Sequence, residues 1–427
     1  MKEQKQSELS LKALEAEVLA EGQAWMRQRL QQRLQAQAEE AGAVSPLRQR
    51  QQRPLTLHTV VGKITLVVVC GRDRQSGEWT CPARARWGLG PHEKMTPELE
   101  DRICLTAALT GSYAAAAQLT AKWGSAVDDE TIRVHVRRVG QRAEEQVQTR
   151  LAGKALEQPA PPVPGSKPAP FSMVIMMDGC LARQRGAAWG NPASQPGLER
   201  VAWREIKGAV IYRLEQAGHT AGGRGVIAQK QVVAWQGEPQ EFGRRVQAEA
   251  RRRGLASARE VFVVADGGVW IWNLQKDRFG QAKGMLDFYH ASEHLWAVAR
   301  SLYPGDETAA RAWVEPLLSQ LKHGQEAGVL QKLDDLPSWC AAQNRWVPPE
   351  VERERAYFQN HREHIHYEAM AARGCPNGSG AMESFCSQLQ GRFKRCGQFW
   401  SPSGMADLLA LDVARRNFDW DALWSQN

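Results

Sequence analysis

The chain has 427 residues, of which 43% are hydrophobic and 24% charged, with a formal net charge of +8. This length exceeds one ordinary core and predicts two or three domains, and the hydrophobic content excludes a disordered chain. No stretch reaches the ~20 apolar residues of a membrane span, and the first residues lack the apolar segment of a signal peptide. The basic balance suits a polyanionic partner because Lys and Arg neutralise phosphates, although a basic surface without a partner is the plain alternative.

The eight cysteines form no Cys-x-x-Cys pair and follow no regular spacing. Scattered cysteines in a chain of this size are typical of a reducing compartment. We therefore expect a cytoplasmic location and no membrane partner.

Residues 1–50 are predicted to form one long helix, because apolar residues such as Leu11, Leu14 and Val18 recur at helical spacing. This pattern leaves open whether the helix packs on the protein's own body or on a second copy. Residues 51–95 follow as a small β region with two predicted strands.

Three predicted helices with short Gly-containing turns occupy residues 96–150. Their acidic start residues and short turns fit a helix-turn-helix DNA-binding domain. The last helix carries three candidate DNA contacts, Arg133, Arg137 and Arg138. A plain three-helix bundle with a solvated basic face is the alternative.

The segment "QPAPPVPGSKPAP" predicts a semi-rigid linker, which we place at residues 151–170. Beyond the linker, strand patterns alternate with a helix up to residue 289, and this order favours an α/β domain. Residues 290–374 show an almost wholly helical pattern, and residues 375–427 contain a Gly-rich loop and further helices.

Two apolar strand patterns end on an aspartate and a glycine, "FSMVIMMDG" at Asp178 and "VFVVADGG" at Asp266. A single Asp-Gly is usually only a turn. Neighbouring strands lie ~4.8 Å apart, so acids at two adjacent strand tips can share a cation. Carboxylates suit Mg²⁺ or Mn²⁺, and two such ions ~4 Å apart can clamp the oxygens of a phosphoryl transfer.

A third carboxylate candidate is Glu383, in the first turn of the helix predicted after "GSG". Arg392, Lys394 and Arg395 follow it and are predicted to continue on that helix as a basic track for DNA. Arg183, near the first acid, is a candidate phosphate contact, with a surface ion pair as an equal alternative.

The segment "HASEH" satisfies the inverted zinc-protease pattern H-x-x-E-H, with His290 and His294 as ligands and Glu293 as base. A chance match of five letters is the simpler interpretation. A zinc protease therefore stays a minor alternative.

Four motifs together resemble bacterial insertion-sequence transposases of the ISKra type, relatives of the Mutator-like DDE transposases. They are "MMDG", "ADGGVWIW", "LDFYHASEHL" and "GSGAMESFCSQLQGRFKRCGQFWS". The resemblance covers residues 171–416 well and the helix-turn-helix region loosely. It implies an α/β, RNase H-like catalytic core interrupted by an all-α insertion and preceded by a helical, helix-turn-helix region. It also implies Asp178, Asp266 and Glu383 as metal ligands.

In this scheme the core comprises residues 171–289 and 375–427, and the insertion comprises residues 290–374. The resemblance implies a nucleoid-associated bacterial DNA transposase that binds the terminal repeats of an insertion sequence and uses Mg²⁺ or Mn²⁺ for strand cleavage and transfer. Its partners would be double-stranded DNA, both transposon ends and target, and further copies of the chain in a homodimer or higher homo-oligomer. The alternative is a transposase-derived DNA-binding regulator that does not cleave.

Asp287 and His290 match the family's Cys/Asp-x-x-His motif. If their segment lies beside the strand that ends at Asp266, His290 emerges near the acids as a catalytic candidate outside the metal ligands, with Asp287 holding its ring by a hydrogen bond. The plain alternative is a helix cap. Relatives carry a Cys-x-x-Cys pair ahead of the helix-turn-helix, and Cys70 and Cys81 are too far apart to supply it, so we expect no zinc there.

Overall fold

The computed structural model describes residues 10–153, 170–191 and 197–425. The chain divides into unit 1, Met1–Arg142 with Phe418–Asn427, and unit 2, Ala143–Asn417. The division therefore falls at residue 142, ahead of the linker predicted at residues 151–170. Most of that linker, residues 154–169, lies outside the described residues.

Unit 1 combines a long helix, a three-stranded antiparallel sheet and shorter helices. Its helices are α1 (Leu11–Val44), α2 (Pro82–Arg86), α3 (Pro97–Leu109), α4 (Tyr113–Lys122) and the first part of α5 (Asp129–Ala152), and its strands, in sheet order, are β1 (Leu47–Thr59), β2 (Gly62–Asp73) and β3 (Trp79–Thr80). The long helix and the three later helices lie where the sequence predicted helices.

The core of unit 1 forms where the C-terminal part of α1 covers the sheet. Ala38 of α1 packs in one apolar cluster with Leu57 and Leu66 of the strands. Burial alternates along the middle of β2, as expected for a sheet with one covered face. Leu30 and Leu34 pack against the same cluster.

The last residues of the chain, from Phe418 onwards, group with unit 1, although the sequence placed them with the catalytic core. Trp420 Nε1 donates a hydrogen bond to Asp101 Oδ1 at 2.7 Å, and Arg142 donates one to the carbonyl of Leu423 at 3.0 Å. These contacts join positions far apart in the chain, so no local sequence pattern predicts them.

Unit 2 contains a five-stranded mixed sheet, a two-stranded hairpin and helices before, between and after the strands. Its strands are β4 (Ser172–Arg185), β5 (Val201–Arg213), β6 (Ala217–His219), β7 (Gly225–Ile227), β8 (Lys230–Trp235), β9 (Glu260–Ala265) and β10 (Lys283–Leu286). Its helices after α5 are α6 (Pro239–Arg252), α7 (Val269–Arg278), α8 (Phe288–Leu302), α9 (Glu307–Lys322), α10 (Glu326–Ala342), α11 (Pro349–Asn360), α12 (Tyr367–Ala371), α13 (Gly380–Phe393) and α14 (Pro402–Arg416).

The main sheet has the order β10-β9-β4-β5-β8. β10 and β9, and β9 and β4, pair in parallel, whereas β5 pairs antiparallel with both β4 and β8. β4 is the central strand, and Met173 to Met177 are buried without alternation, which is typical of a strand covered on both faces. The α/β class predicted from the sequence is confirmed.

The helices α8 to α12 separate β10 from α13, as the helical pattern predicted. They form an apolar core of their own that includes Val298, Leu321, Leu333 and Phe358, each at most 1% exposed. Within the described residues, none of the helices is both long and apolar enough to cross a membrane.

Candidate active site and nucleic-acid interface

Asp178 and Asp266 lie at the point where two neighbouring parallel strands stop pairing. β4 and β9 pair in register up to Met177 and Ala265, and the two aspartates are the next residue on each chain segment. Register partners in neighbouring strands lie ~4.8 Å apart and point to the same face of a sheet. The sheet therefore brings the two carboxylates to one place.

The sequence predicted that β4 ends at Asp178, but the strand is longer. The strand continues to Arg185 along β5, while its pairing with β9 stops at Met177. Cys180, Ala182 and Gln184 are buried, whereas Leu181 and Arg183 between them are not, so the second half of β4 is an alternating strand with one covered face. Asp178 thus marks the point where β4 loses its parallel neighbour.

The surroundings of the Asp178 carboxylate disfavour its ionised form. Burial raises its pKa above the ordinary value and the charge of Asp266 raises it further, although the Gly179 N–H and the Cys386 thiol act in the opposite direction. Gly179 N donates to Oδ1 at 2.6 Å, and Cys386 Sγ lies 3.5 Å from Oδ2. A cation would relieve this repulsion, and Mg²⁺ typically takes one or two protein carboxylates and fills its other positions with water or substrate oxygens. The pair therefore fits a hard divalent ion.

Asp266 is fixed by its own loop and by α11. Its Oδ1 accepts a hydrogen bond from Gly268 N at 3.1 Å, and its carbonyl accepts one from Tyr357 Oη at 2.8 Å. His361 Nε2 lies 3.1 Å from the carbonyl of Gly267. Gly267 has φ +105°, and a Cβ there would lie 2.6 Å from Tyr357 Oη, so only glycine fits. No sequence pattern assigned Tyr357 and His361 to this loop, because they lie 91 and 94 residues from their partners in it.

Glu383 lies in the first turn of α13, as predicted, and is exposed. The same helix contacts Asp178 through Cys386, one turn further on. Among the residues that the structure describes, no three His, Cys, Asp or Glu side chains gather closely enough to hold a metal ion. The structure therefore brings Asp178 and Asp266 together, and within the described residues Glu383 does not complete a three-residue metal-binding group with them.

Asp287 is a buried carboxylate that joins the starts of two helices. Its Oδ1 accepts the N–H groups of Tyr289 at 2.7 Å and His290 at 3.2 Å, which caps α8. Its Oδ2 accepts the N–H and the hydroxyl of Ser379, the N-cap residue of α13, at 2.5 and 2.6 Å. Its own N–H donates to the carbonyl of Ala265 at 2.7 Å. One side chain thus positions α8 and α13 beside the end of β9.

The ring of His290 lies next to Asp287 but is not hydrogen-bonded to it, which differs from the contact that the sequence suggested. Nδ1 lies 3.8 Å from Asp287 Oδ1. The Asp287 carboxylate raises the pKa of His290 to about 9 against the effect of burial, and the charge of Asp266 adds to the rise. The ring is therefore a cation at neutral pH, and its charge in turn lowers the pKa of Asp178. The hydrogen bonds of the Asp287 carboxylate are those of the helix cap and those from Ser379, and the His290 ring lies beside it at ion-pair distance.

His290 and His294 have different partners, although they belong to one H-x-x-E-H pattern. His294 Nδ1 lies 2.5 Å from Glu354 Oε2, and its ring stacks on Tyr357 with centroids 3.7 Å apart. The zinc-protease interpretation gains no support from this arrangement.

The basic residues after Glu383 do not form one helical track. α13 ends at Phe393, where Lys394 is the C-cap residue. Arg392 is buried, and its guanidinium lies 5.1 Å from the centre of the Trp400 ring. Arg392 therefore packs inside unit 2 instead of facing solvent.

Arg183 stabilises the segment that follows α13. Its Nη2 donates to the carbonyl of Arg395 at 2.5 Å and lies 3.5 Å from that of Lys394. The guanidinium also lies 5.2 Å from the centre of the Phe399 ring. The side chains of Lys394 and Arg395 are exposed, so Arg183 positions two cations that remain accessible.

The predicted DNA-contacting residues of α5 differ in their surroundings. Arg133 and Arg137 are exposed, and Arg133 pairs with Glu130 at 2.5 Å within the same helix. Arg138 is half-buried and forms ion pairs with Glu93 and Glu100. Of these three arginines, Arg137 is therefore the one that is exposed and forms no ion pair within the described residues.

The buried partner of Arg138 is Glu100, which is 3% exposed. Its carboxylate also lies 2.6 Å from His135 Nδ1. Burial raises the pKa of Glu100, but the hydrogen bonds from His135 and Arg138 outweigh burial and lower it overall. This cluster attaches helix α3 to helix α5, so Arg138 has a structural role.

Comparisons with known proteins identify no family. No family model matches the chain, and no curated protein matches it at a significant level. Among solved structures, the Drosophila P element transposase strand transfer complex is similar, with a TM-score of 0.36 and 11% sequence identity, over 75% of this chain and 92% of that one. A likeness this weak decides neither the fold nor the function.

Arg138→Ala is expected to lower the free energy of unfolding of unit 1 by about 2 kcal/mol, because it leaves the buried charge of Glu100 with weaker compensation. Arg137→Ala, a matched change on the exposed side of the same helix, is expected to cost less than about 0.5 kcal/mol. Chemical denaturation of both variants measures the difference. Equal stability of the two would contradict the structural role of Arg138.

The stability that Asp287 contributes is expected to depend on pH. Burial acts to raise its pKa, but His290 and Ser379 lower it from 3.8 to about 2. A lowered carboxyl pKa stabilises the fold above the unfolded-state value, and this contribution, about 2 kcal/mol, is lost as the pH falls from about 4 to about 2. Denaturant midpoints across this range are expected to fall less steeply in Asp287→Asn than in the wild type. Asp277→Asn is the control, and an unchanged slope in Asp287→Asn would assign the loss to another group.

Proposed function

We propose that the protein is a DNA transposase whose active site is built on Asp178 and Asp266. The observation that carries this proposal is the meeting of the two carboxylates on adjacent parallel strands, where one raises the pKa of the other. Perturbed acids of this kind are typical of functional sites. The motif resemblance supports the same pair and adds Glu383. We infer that the five-stranded sheet is an RNase H-like core and that α8 to α12 form its all-α insertion.

Asp178 and Asp266 would hold Mg²⁺ or Mn²⁺, and Glu383 is the third candidate ligand. When bound, the ion supplies positive charge to the oxygens of the phosphodiester that reacts. The N–H groups of Gly179 and Gly268 fix the carboxylates, so the protein orients the donor oxygens before the ion and DNA arrive.

The protonated ring of His290, which is carried by α8, would stabilise negative charge in the same reaction. A cation close to both aspartates also lies close to the phosphate that those aspartates would bind. There it neutralises a non-bridging oxygen as negative charge develops, which is the electrostatic form of catalysis. Asp287 keeps the ring protonated and α8 in place.

Double-stranded DNA is the partner that the accessible cations favour. Arg133 and Arg137 on α5 and Lys394 and Arg395 after α13 are exposed, and we infer that they contact phosphates of the transposon ends or the target. We infer that α3 to α5 form the helix-turn-helix that finds the ends. Binding is then expected to weaken steeply with salt, because phosphate contacts release counterions.

A DNA-binding regulator that does not cleave is the second candidate function. It is favoured by one observation, namely that no three ligand side chains gather closely enough to hold a metal ion among the described residues. Cleavage measurements separate the two candidates.

The substitutions Asp178→Asn, Asp266→Asn and Glu383→Gln are each expected to lower single-turnover cleavage by about 1,000-fold or more, because each removes a charge at the reacting phosphate. The substrate is duplex DNA that carries the sequences flanking the gene, with Mg²⁺ present. Binding measured by electrophoretic mobility shift is expected to stay within about threefold of the wild type, as the substitutions keep side-chain shape.

Asp277→Asn, a change at an exposed acid on α7, is the control and is expected to cleave normally. Normal cleavage by either aspartate variant would move the active site elsewhere, and normal cleavage by Glu383→Gln would remove that residue alone. Specific binding by the wild type without any cleavage would favour the regulator.

Cleavage is also expected to require Mg²⁺ or Mn²⁺ and to survive a zinc-selective chelator, because carboxylate oxygens favour hard ions over zinc. Metal content and activity are measured on the same preparation. One zinc per chain that is lost in His290→Ala, together with inactivation by the chelator, would contradict the carboxylate site.

A further inference from the structure

The N-terminal part of α1 carries an apolar stripe that unit 1 does not cover. Leu11, Leu14, Val18 and Trp25 recur at i, i+3, i+7 and i+14, so they lie on one side of the helix. Their exposed fractions are 74%, 49%, 58% and 67%. Large apolar side chains in a continuous exposed row mark an interaction surface.

The opposite side of α1 is the side that packs on unit 1. Arg27 Nε donates to the carbonyl of Val61 at 3.0 Å, and Gln31 Nε2 donates to that of Thr65 at 2.9 Å. At about 100° per residue, Arg27 lies roughly half a turn around the helix from Leu11. The exposed stripe is therefore a second face, separate from the face used in folding.

Residues 11–21 have no buried position. A helical segment of this length is marginal in water when it stands alone, because helices in proteins are stabilised mainly by packing of an apolar face. The stripe supplies such a face, so an occupant is needed to stabilise these three turns.

The charges along the stripe change sign at its middle. On the side of the helix that carries the stripe, the first part has the acids Glu15 and Glu21 and the second part has the bases Arg29 and Arg33, counted at about 100° per residue. Glu15, Glu21, Arg29 and Arg33 are exposed, and in the described part of the chain no ion pair engages them. A second α1 laid antiparallel brings unlike charges together, whereas a parallel one brings like charges together.

We propose that α1 associates antiparallel with α1 of a second copy of this chain, crossing close to Gly22. A Cβ at Gly22 would meet nothing within 4 Å, so the backbones can approach there. The crossing buries both apolar stripes and sets Glu15 of each copy beside Arg29 and Arg33 of the partner subunit. This proposal stands on α1 alone and does not depend on the proposed function.

The full chain without DNA or metal is expected to sediment as a dimer. The double variant Leu14→Glu, Val18→Glu is expected to raise the dimer dissociation constant by about 100-fold, roughly tenfold for each apolar anchor that is lost. Leu109→Glu alters a similarly exposed residue, 62% exposed at the end of α3, and is expected to leave the dimer intact. Sedimentation equilibrium measures all three proteins, with circular dichroism to confirm that they are folded.

The direction of pairing is tested by charge reversal at low salt. Glu15→Arg is expected to weaken the dimer by about tenfold, because two symmetric contacts become repulsive, and the triple variant Glu15→Arg, Arg29→Glu, Arg33→Glu is expected to restore it. A parallel pair would instead be unaffected by Glu15→Arg.

A monomeric wild type at ~50 μM, far above the dissociation constants typical of specific complexes, would overturn the proposal. An unchanged dissociation constant in the Leu14→Glu, Val18→Glu variant would overturn it too, as would a triple charge variant that stays weak. Association is measured without DNA, so failure here leaves the active-site proposal untouched.

Discussion

A carboxylate with no exposed surface must satisfy its oxygens inside the protein, and Asp287 does so at the starts of two helices. These helices carry His290 and Glu383, and the backbone N–H of Asp287 bonds to the residue before Asp266. Candidate residues from three distant segments thus depend on one residue, through its side chain and its backbone N–H, for their relative positions. Because Ser379 donates from both its backbone and its hydroxyl, the start of α13 has little freedom to shift.

The remaining acid is placed by the sheet, since Asp178 follows the last residue of β4 that pairs with β9. The loop that carries Asp266 is in turn held by Tyr357, a residue of the helical segment between β10 and α13. That segment therefore supports the site as well as forming a core of its own. In the proposed function, the two repelling aspartates and the nearby His290 cation are the groups that would bind a metal ion and a phosphate.

Apolar runs and helical periodicity were sufficient to predict the α/β class and most helices, because both signals are local. The extension of β4 beyond Asp178 was missed, since polar residues interrupt its apolar run and only pairing with β5 continues it. Contacts such as that between Asp287 and Ser379, 92 residues apart, leave no local pattern. No local pattern marks the partner of Arg138 either. Its charge suggested a contact with DNA, but it pairs with the buried Glu100.

Mn²⁺ binding tests, without DNA or catalysis, whether Asp178 and Asp266 form a cation-binding pair. Titration of the full chain, followed by the electron paramagnetic resonance signal of free Mn²⁺, is expected to show saturable binding in the wild type and in the exposed control Asp277→Asn. Asp178→Asn and Asp266→Asn are each expected to abolish this binding, since a hard cation needs the charged oxygens. Equal Mn²⁺ binding by the wild type and both aspartate variants would contradict the cation-binding pair.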